Sequence, residues 1–126
     1  MREIKVRAYI NDLGKVYDVD EIDFSGEAIT IYIDEVYTRY NFRQVELLQY
    51  TGLKDKNGVE IYEGDIVQFD NLGVNLIGVI MFDDFYKQMY IKANDGLDYY
   101  VGGELITTRE VIGNKFENPQ LLKGEL

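Results

Sequence analysis

The chain contains neither cysteine nor histidine. The first absence removes disulfides, thiolate nucleophiles and cysteine metal sites together. The second removes the usual imidazole ligands of zinc and the commonest general base at neutral pH. Tryptophan is also missing, and there is one serine, Ser25, and one proline, Pro119. Catalysis would have to rest on carboxylates, lysine, tyrosine or that serine, which argues against an enzyme. Long apolar runs are lacking as well. The longest nearly uncharged one, Leu72 to Phe82, is about half of what a spanning helix requires. The N-terminus, MREIKVRAYI, carries charge where a signal peptide needs its apolar core. These features lead to the expectation of a cytoplasmic protein that does not engage membranes.

Basic residues are scarce where acids gather. The net charge is −10, and between Lys15 and Arg39 lie seven acids and no base, as do six acids between Lys56 and Lys87. Such a field repels phosphate backbones, so direct nucleic-acid binding through a basic patch is not expected. The plain reading is a charge that keeps a small protein soluble. The sharper one is an acidic surface that imitates DNA toward a basic partner.

What is present suits strands. At 126 residues with 46% hydrophobic content, the chain is long enough to bury a core. Twelve glycines, eleven tyrosines and six phenylalanines fit short strands joined by glycine turns. Ile4, Val6, Ala8 and Ile10 alternate with polar residues and Tyr9, up to a turn at Asn11 to Gly14. A second strand is expected over Val16 to Phe24, forming a hairpin through Ser25-Gly26-Glu27 with a strand that carries Ile29, Ile31 and Ile33 on one face. Val36 to Gln49 reads as strand, although RQVELLQ also fits two helical turns. Asn57-Gly58 is a strong turn, because both residues tolerate positive φ, and Glu63-Gly64 is another. Strands follow at Asp65 to Phe69, Leu76 to Phe82, Phe85 to Ala93 and Asp98 to Val101. A short helical turn is expected at Leu105 to Thr108, a last strand at Glu110 to Phe116, and a helical turn or tail from Gln120. Ile61, Ile66, Val67, Val79, Ile91, Val111 and Ile112 are the expected core. The division anticipated is an N-terminal strand subdomain over 1–52, a small barrel over 53–117 and a tail over 118–126.

The chemical motifs are weak. Gly14-Lys15 lacks the earlier glycine and the following hydroxyl of a phosphate loop, and Gly102-Gly103 lacks a dinucleotide fingerprint. Asp18, Asp20 and Asp23 do not follow calcium-loop spacing. No cofactor or metal is therefore expected. Glu60, Glu63 and Asp65, with Asp83-Asp84, form the one constellation suited to carboxylate hydrolysis. In a chain with 23 acids, such clusters arise by chance, and acids at turns commonly accept backbone hydrogen bonds. Asn57, Gly58, Gly64 and Asp65 are accordingly read as structural turns, with no catalytic residue assigned. Tyr32, Tyr37, Tyr40, Tyr86, Tyr90, Tyr99 and Tyr100 exceed what a small core should hold and form the candidate interaction surface, suited to a protein partner or a second copy of the chain.

Three blocks, MREIKVRAY, LLQYTGLKDKNGVEIYEGDIVQF and EVIGNKFENPQLL, are together similar to the YopX family of small phage and prophage proteins from bacteria of the Bacillus and Staphylococcus kind. Residues 18–43 and 70–103 match less well. Family members often carry tryptophan after the opening strand, where this chain has Tyr9-Ile10. The resemblance implies a mostly β fold with an SH3-like barrel and a phage accessory protein in the bacterial cytoplasm. It brings no reaction and no catalytic residue. The leading expectation is a non-enzymatic, self-associating, protein-binding module. The alternatives are an acidic DNA mimic and a carboxylate hydrolase.

Overall fold

The computed structural model describes residues 5–101 and 108–123. The fold is mainly β, and the chain divides into two units between Gln49 and Tyr50. The helical turn expected at Leu105 and the Gly102-Gly103 break lie outside the described residues.

In the first unit, β1 (Val6–Ile10) pairs antiparallel with β2 (Lys15–Asp18) and with the first half of β6 (Val45–Lys54). A second sheet has the order β3 (Glu21–Asp23), β4 (Ala28–Ile33), β5 (Val36–Asn41). Ala8 and Ile10 of β1 with Ile29 and Ile31 of β4 form the buried core of this unit, flanked by Tyr17, Val19, Ile22, Tyr40 and Phe42. The single strand expected over Val16 to Phe24 is broken here, because the chain changes sheets. The Val19 amide donates to the Val6 carbonyl, whereas the Asp20 amide donates to the Thr30 carbonyl.

Within Val36 to Gln49 the expected single strand is also interrupted. A 3-10 turn at Phe42–Gln44 separates β5 from β6, and a capping box starts it. The Asn41 side chain accepts from the Arg43 amide, and the Gln44 side chain accepts from the Asn41 amide. The β4–β5 connection is a two-residue turn: Ile33 faces Val36, and both Asp34 (φ 50°) and Glu35 (φ 67°) are left-handed. That is the geometry of a hairpin turn whose twist matches its strands.

In the second unit the rest of β6 pairs with β7 (Glu60–Tyr62). Residues 53–117 contain a five-stranded antiparallel sheet in the order β11 (Asp98–Tyr100), β10 (Gln88–Ala93), β9 (Val74–Asp83), β8 (Asp65–Asn71), β12 (Thr108–Asn114). One face supplies Val67, Phe69, Leu76, Ile80, Ile91 and Ala93 to a buried cluster that also takes Ile61 and Val101. Ile66 and Val79 pair with each other on the opposite face and are also buried.

Two expected core residues depart from full burial. Val111 is half-buried against the cluster, and Ile112 is half-buried at a bulge, where the register steps from Val111 to Gly113 and leaves Ile112 without an opposite residue. The strand expected from Phe85 begins instead at Gln88, because Asp83 draws the following residues into a turn. A 3-10 turn at Pro119–Lys123 ends the described chain.

Close backbone approach fixes the middle of the sheet. Gly78 lies between Val67 and Ala93, and a Cβ there would stand 2.5 Å from Ile91 Cγ2, 2.7 Å from the Lys92 carbonyl oxygen and 2.9 Å from Ala93 Cα. Gly78→Ala should therefore lower stability by about 2 kcal/mol or more, since backbone has to move to admit the methyl group. Ile66→Ala removes a fully buried side chain and should cost about 2–5 kcal/mol. Both are read from denaturant titration, and a loss below about 0.5 kcal/mol for either would contradict its placement.

Candidate interaction surface

The seven tyrosines separate into three settings. Tyr32 and Tyr37 face each other across β4 and β5, with ring centroids 4.7 Å apart and exposures of 54% and 66%. They share the solvent side of the sheet because Ile29, Ile31 and Ile33, the alternate residues of β4, turn toward the core. Tyr40 sits opposite Ile29 and therefore packs on the core side.

Tyr86, Tyr90 and Tyr100 form the second group. Tyr90 pairs with Tyr100 across β10 and β11 at 6.1 Å between ring centroids. The Tyr100 hydroxyl donates to Asp83 at 3.3 Å, in the turn that presents Tyr86. Partial burial and then the Asp83 carboxylate raise the Tyr100 pKa. Phe85, which sequence reasoning assigned to a strand, is 83% exposed and packs edge-on against Tyr86 at 4.8 Å. The signal for it was its place between Asp83-Asp84 and Lys87, whose φ of 56° closes the loop.

Tyr99 belongs to the third setting. Its ring packs against Phe69 at 5.3 Å, and its hydroxyl donates to Asp95 at 2.5 Å. That hydrogen bond holds the Asp95 carboxyl below the usual range and raises the Tyr99 pKa. Tyr40 and Tyr99 thus serve the two cores, while Tyr32, Tyr37, Tyr86 and Tyr100 are exposed.

Most of the carboxylates whose contacts are resolved are occupied with turns. Asp23 accepts from the Gly26 amide and from Arg39 at 3.0 Å; the amide first, then the guanidinium, lowers its pKa. Asp65 accepts from the Tyr62 amide at 2.8 Å, and Glu60 accepts from the Tyr62 hydroxyl at 3.2 Å. Gly64, beside Asp65, joins two strands: its amide donates to the Ile80 carbonyl and its carbonyl accepts from the Lys115 amide. Among the described residues no three acids are grouped so as to hold a metal ion.

The Asn57-Gly58 turn is organised by Asp55, a residue the motif reading passed over. Gly58 takes the positive φ of 83°, Asn57 does not, and the Gly58 amide closes on the Asp55 carbonyl. The buried Asp55 carboxylate accepts from the amides of Asn57 at 2.8 Å and Val59 at 2.9 Å through one oxygen, and from Val111 of β12 at 2.9 Å through the other. Burial disfavours its charge, but the three amides and nearby Lys56 outweigh that and lower its pKa. A lowered folded value means stability that is present above the unfolded aspartate pKa of about 3.9. It is lost as pH falls through the folded value. Asp55→Ala should cost about 2–3 kcal/mol at pH 7 by leaving amides unpaired. The difference from wild type should shrink as acid is added, as read from denaturant titrations between neutral pH and pH 3. A constant difference would contradict the linkage.

Comparison with known proteins agrees with this architecture. The chain is similar over its length to protein EF1440 from Enterococcus faecalis, known from a crystal structure. The TM-score is 0.57 and the identity 26%, with 94% of this chain and 96% of that one covered. No curated protein matches. No described helix is long and apolar enough to cross a membrane. The family model described as YopX protein matches residues 5–123, and the chain belongs to the YopX family.

Proposed function

We propose that the protein is a non-enzymatic accessory module of phage or prophage origin, working in the bacterial cytoplasm, that binds protein through exposed aromatic side chains and associates with itself. One observation carries this reading: the Tyr32 and Tyr37 rings pack against each other at a tilt while more than half of each residue remains exposed. Such a pair is already ordered and loses little entropy on binding, which is what an interface anchor needs. Phe85 and Tyr86 repeat the arrangement on a loop. The non-enzymatic part is supported by the missing histidine and cysteine. It is also supported by the engagement of Glu60 and Asp65 with Tyr62, inside the constellation that a hydrolase would have used.

The test is capture from host lysate at low and high salt, with wild type beside Tyr32→Ser/Tyr37→Ser and Phe85→Ser/Tyr86→Ser variants. The expected result is a partner kept at high salt by wild type and lost by at least one variant. Partners that bind only at low salt and ignore both variants would contradict the reading and favour charge mimicry of DNA.

A further inference from the structure

The outer edge of β5 has the composition and the geometry of a strand that pairs with its own copy. β5 is the last strand of its sheet, and its sequence, VYTRYN, is rich in β-formers. It contains neither the lysine nor the proline that commonly protects an edge.

The direction of its backbone groups follows from its neighbours. Thr30 uses its carbonyl toward the β3 side, where it accepts from the Asp20 amide. By alternation, Ile29, Ile31 and Ile33 direct theirs to β5, where they face Tyr40, Thr38 and Val36. Tyr37 and Arg39 therefore point their amides and carbonyls away from the sheet. No described strand pairs with them.

We infer that a second copy of this chain docks there, β5 against β5 in antiparallel register about a two-fold axis at Thr38. Three facts select that register. A two-fold axis perpendicular to the sheet keeps each residue on its own face, so position numbers of opposed residues must sum to an even value. Centring on Thr38 opposes Tyr37 to Arg39 of the second copy twice, and all four outward-facing residues then hydrogen-bond. Centring on Arg39 would require outward bonding by Asn41, whose amide is already given to Gln44, and centring on Tyr37 would require it of Glu35, whose φ of 67° places it in the turn.

The side chains agree with this register. Each Arg39 reaches back across its own sheet to Asp23 at 3.0 Å, so its charge is balanced and its guanidinium stays clear of the seam. The acidic turn Asp34-Glu35 of one copy would run toward Asn41–Arg43 of the other, acid toward base, at both ends of the pair. The Tyr32–Tyr37 pairs of the two copies would then lie on one face of a continuous six-stranded sheet.

This rests on the self-association reading, and the experiment separates the two. The chain has no cysteine, so single-cysteine variants report without background. Thr38→Cys should give a disulfide-linked dimer on mild oxidation, because opposed residues at a non-hydrogen-bonded position lie about 4.5 Å apart. Val36→Cys should not, because the register sets it four residues, about 13 Å, from its own copy. Arg39→Pro removes an outward amide from each copy and should weaken dimerisation in sedimentation by about tenfold or more. Thr38→Cys keeps the proposal testable even if that variant folds poorly. Dimeric wild type without cross-linking at Thr38 would overturn pairing at this edge and leave self-association through other aromatics standing. A monomer at every concentration, also without cross-linking, would overturn both.

Discussion

The second unit depends on one buried carboxylate. Asp55 lies just after β6, and its two oxygens reach both the turn that launches β7 and the amide of Val111, 56 residues further on. A carboxylate can accept from several amides at once, which no neutral side chain of that size can do, and burial keeps water from competing. The register of β12 against β8 is held at the same place, next to the bulge at Ile112. Lys56 adds a second tie, since its amide donates to the Arg109 carbonyl. A contact this distant in sequence converts a local turn into a closure of the sheet.

Much of the architecture was legible because alternation is a local signal. Ile29, Ile31 and Ile33, or Ile66 through Phe69, announce strands wherever they occur. The turns that were missed use residues that rarely adopt positive φ. Asp34-Glu35 and Leu72-Gly73 both make two-residue hairpins, with Glu35 at φ 67° and Leu72 at φ 52°, and Glu or Leu there gives no compositional warning. The Asn41 to Gln44 capping box was readable as an Asn followed three residues later by Gln. It was hidden by the strong β propensity on either side.

The candidate surface shows the same limit. Tyr32, Tyr37 and Tyr40 are equivalent in composition, and only the register separates them. Once the turn is fixed at Asp34-Glu35, Tyr40 must oppose Ile29 and enter the core, while Tyr37 must oppose Tyr32 and face water. Without that turn, the parity between the two strands was undetermined. Tyr99 was misjudged for a different reason: its core role depends on Phe69, thirty residues earlier, and on Asp95. Asp55 itself looked like one more acid in an acidic chain, since its value lies in a partner that no local window contains.

The division at Gln49 has a consequence for how the chain is made. Every residue of the first core, from Ala8 to Leu47, is encoded before Tyr50, and β1 finds both of its sheet neighbours among those residues. Translation is slow compared with the closing of short hairpins. All the residues of the first core are therefore present while the ribosome is still adding the strands of the second unit. Asp55, by contrast, must wait for Val111.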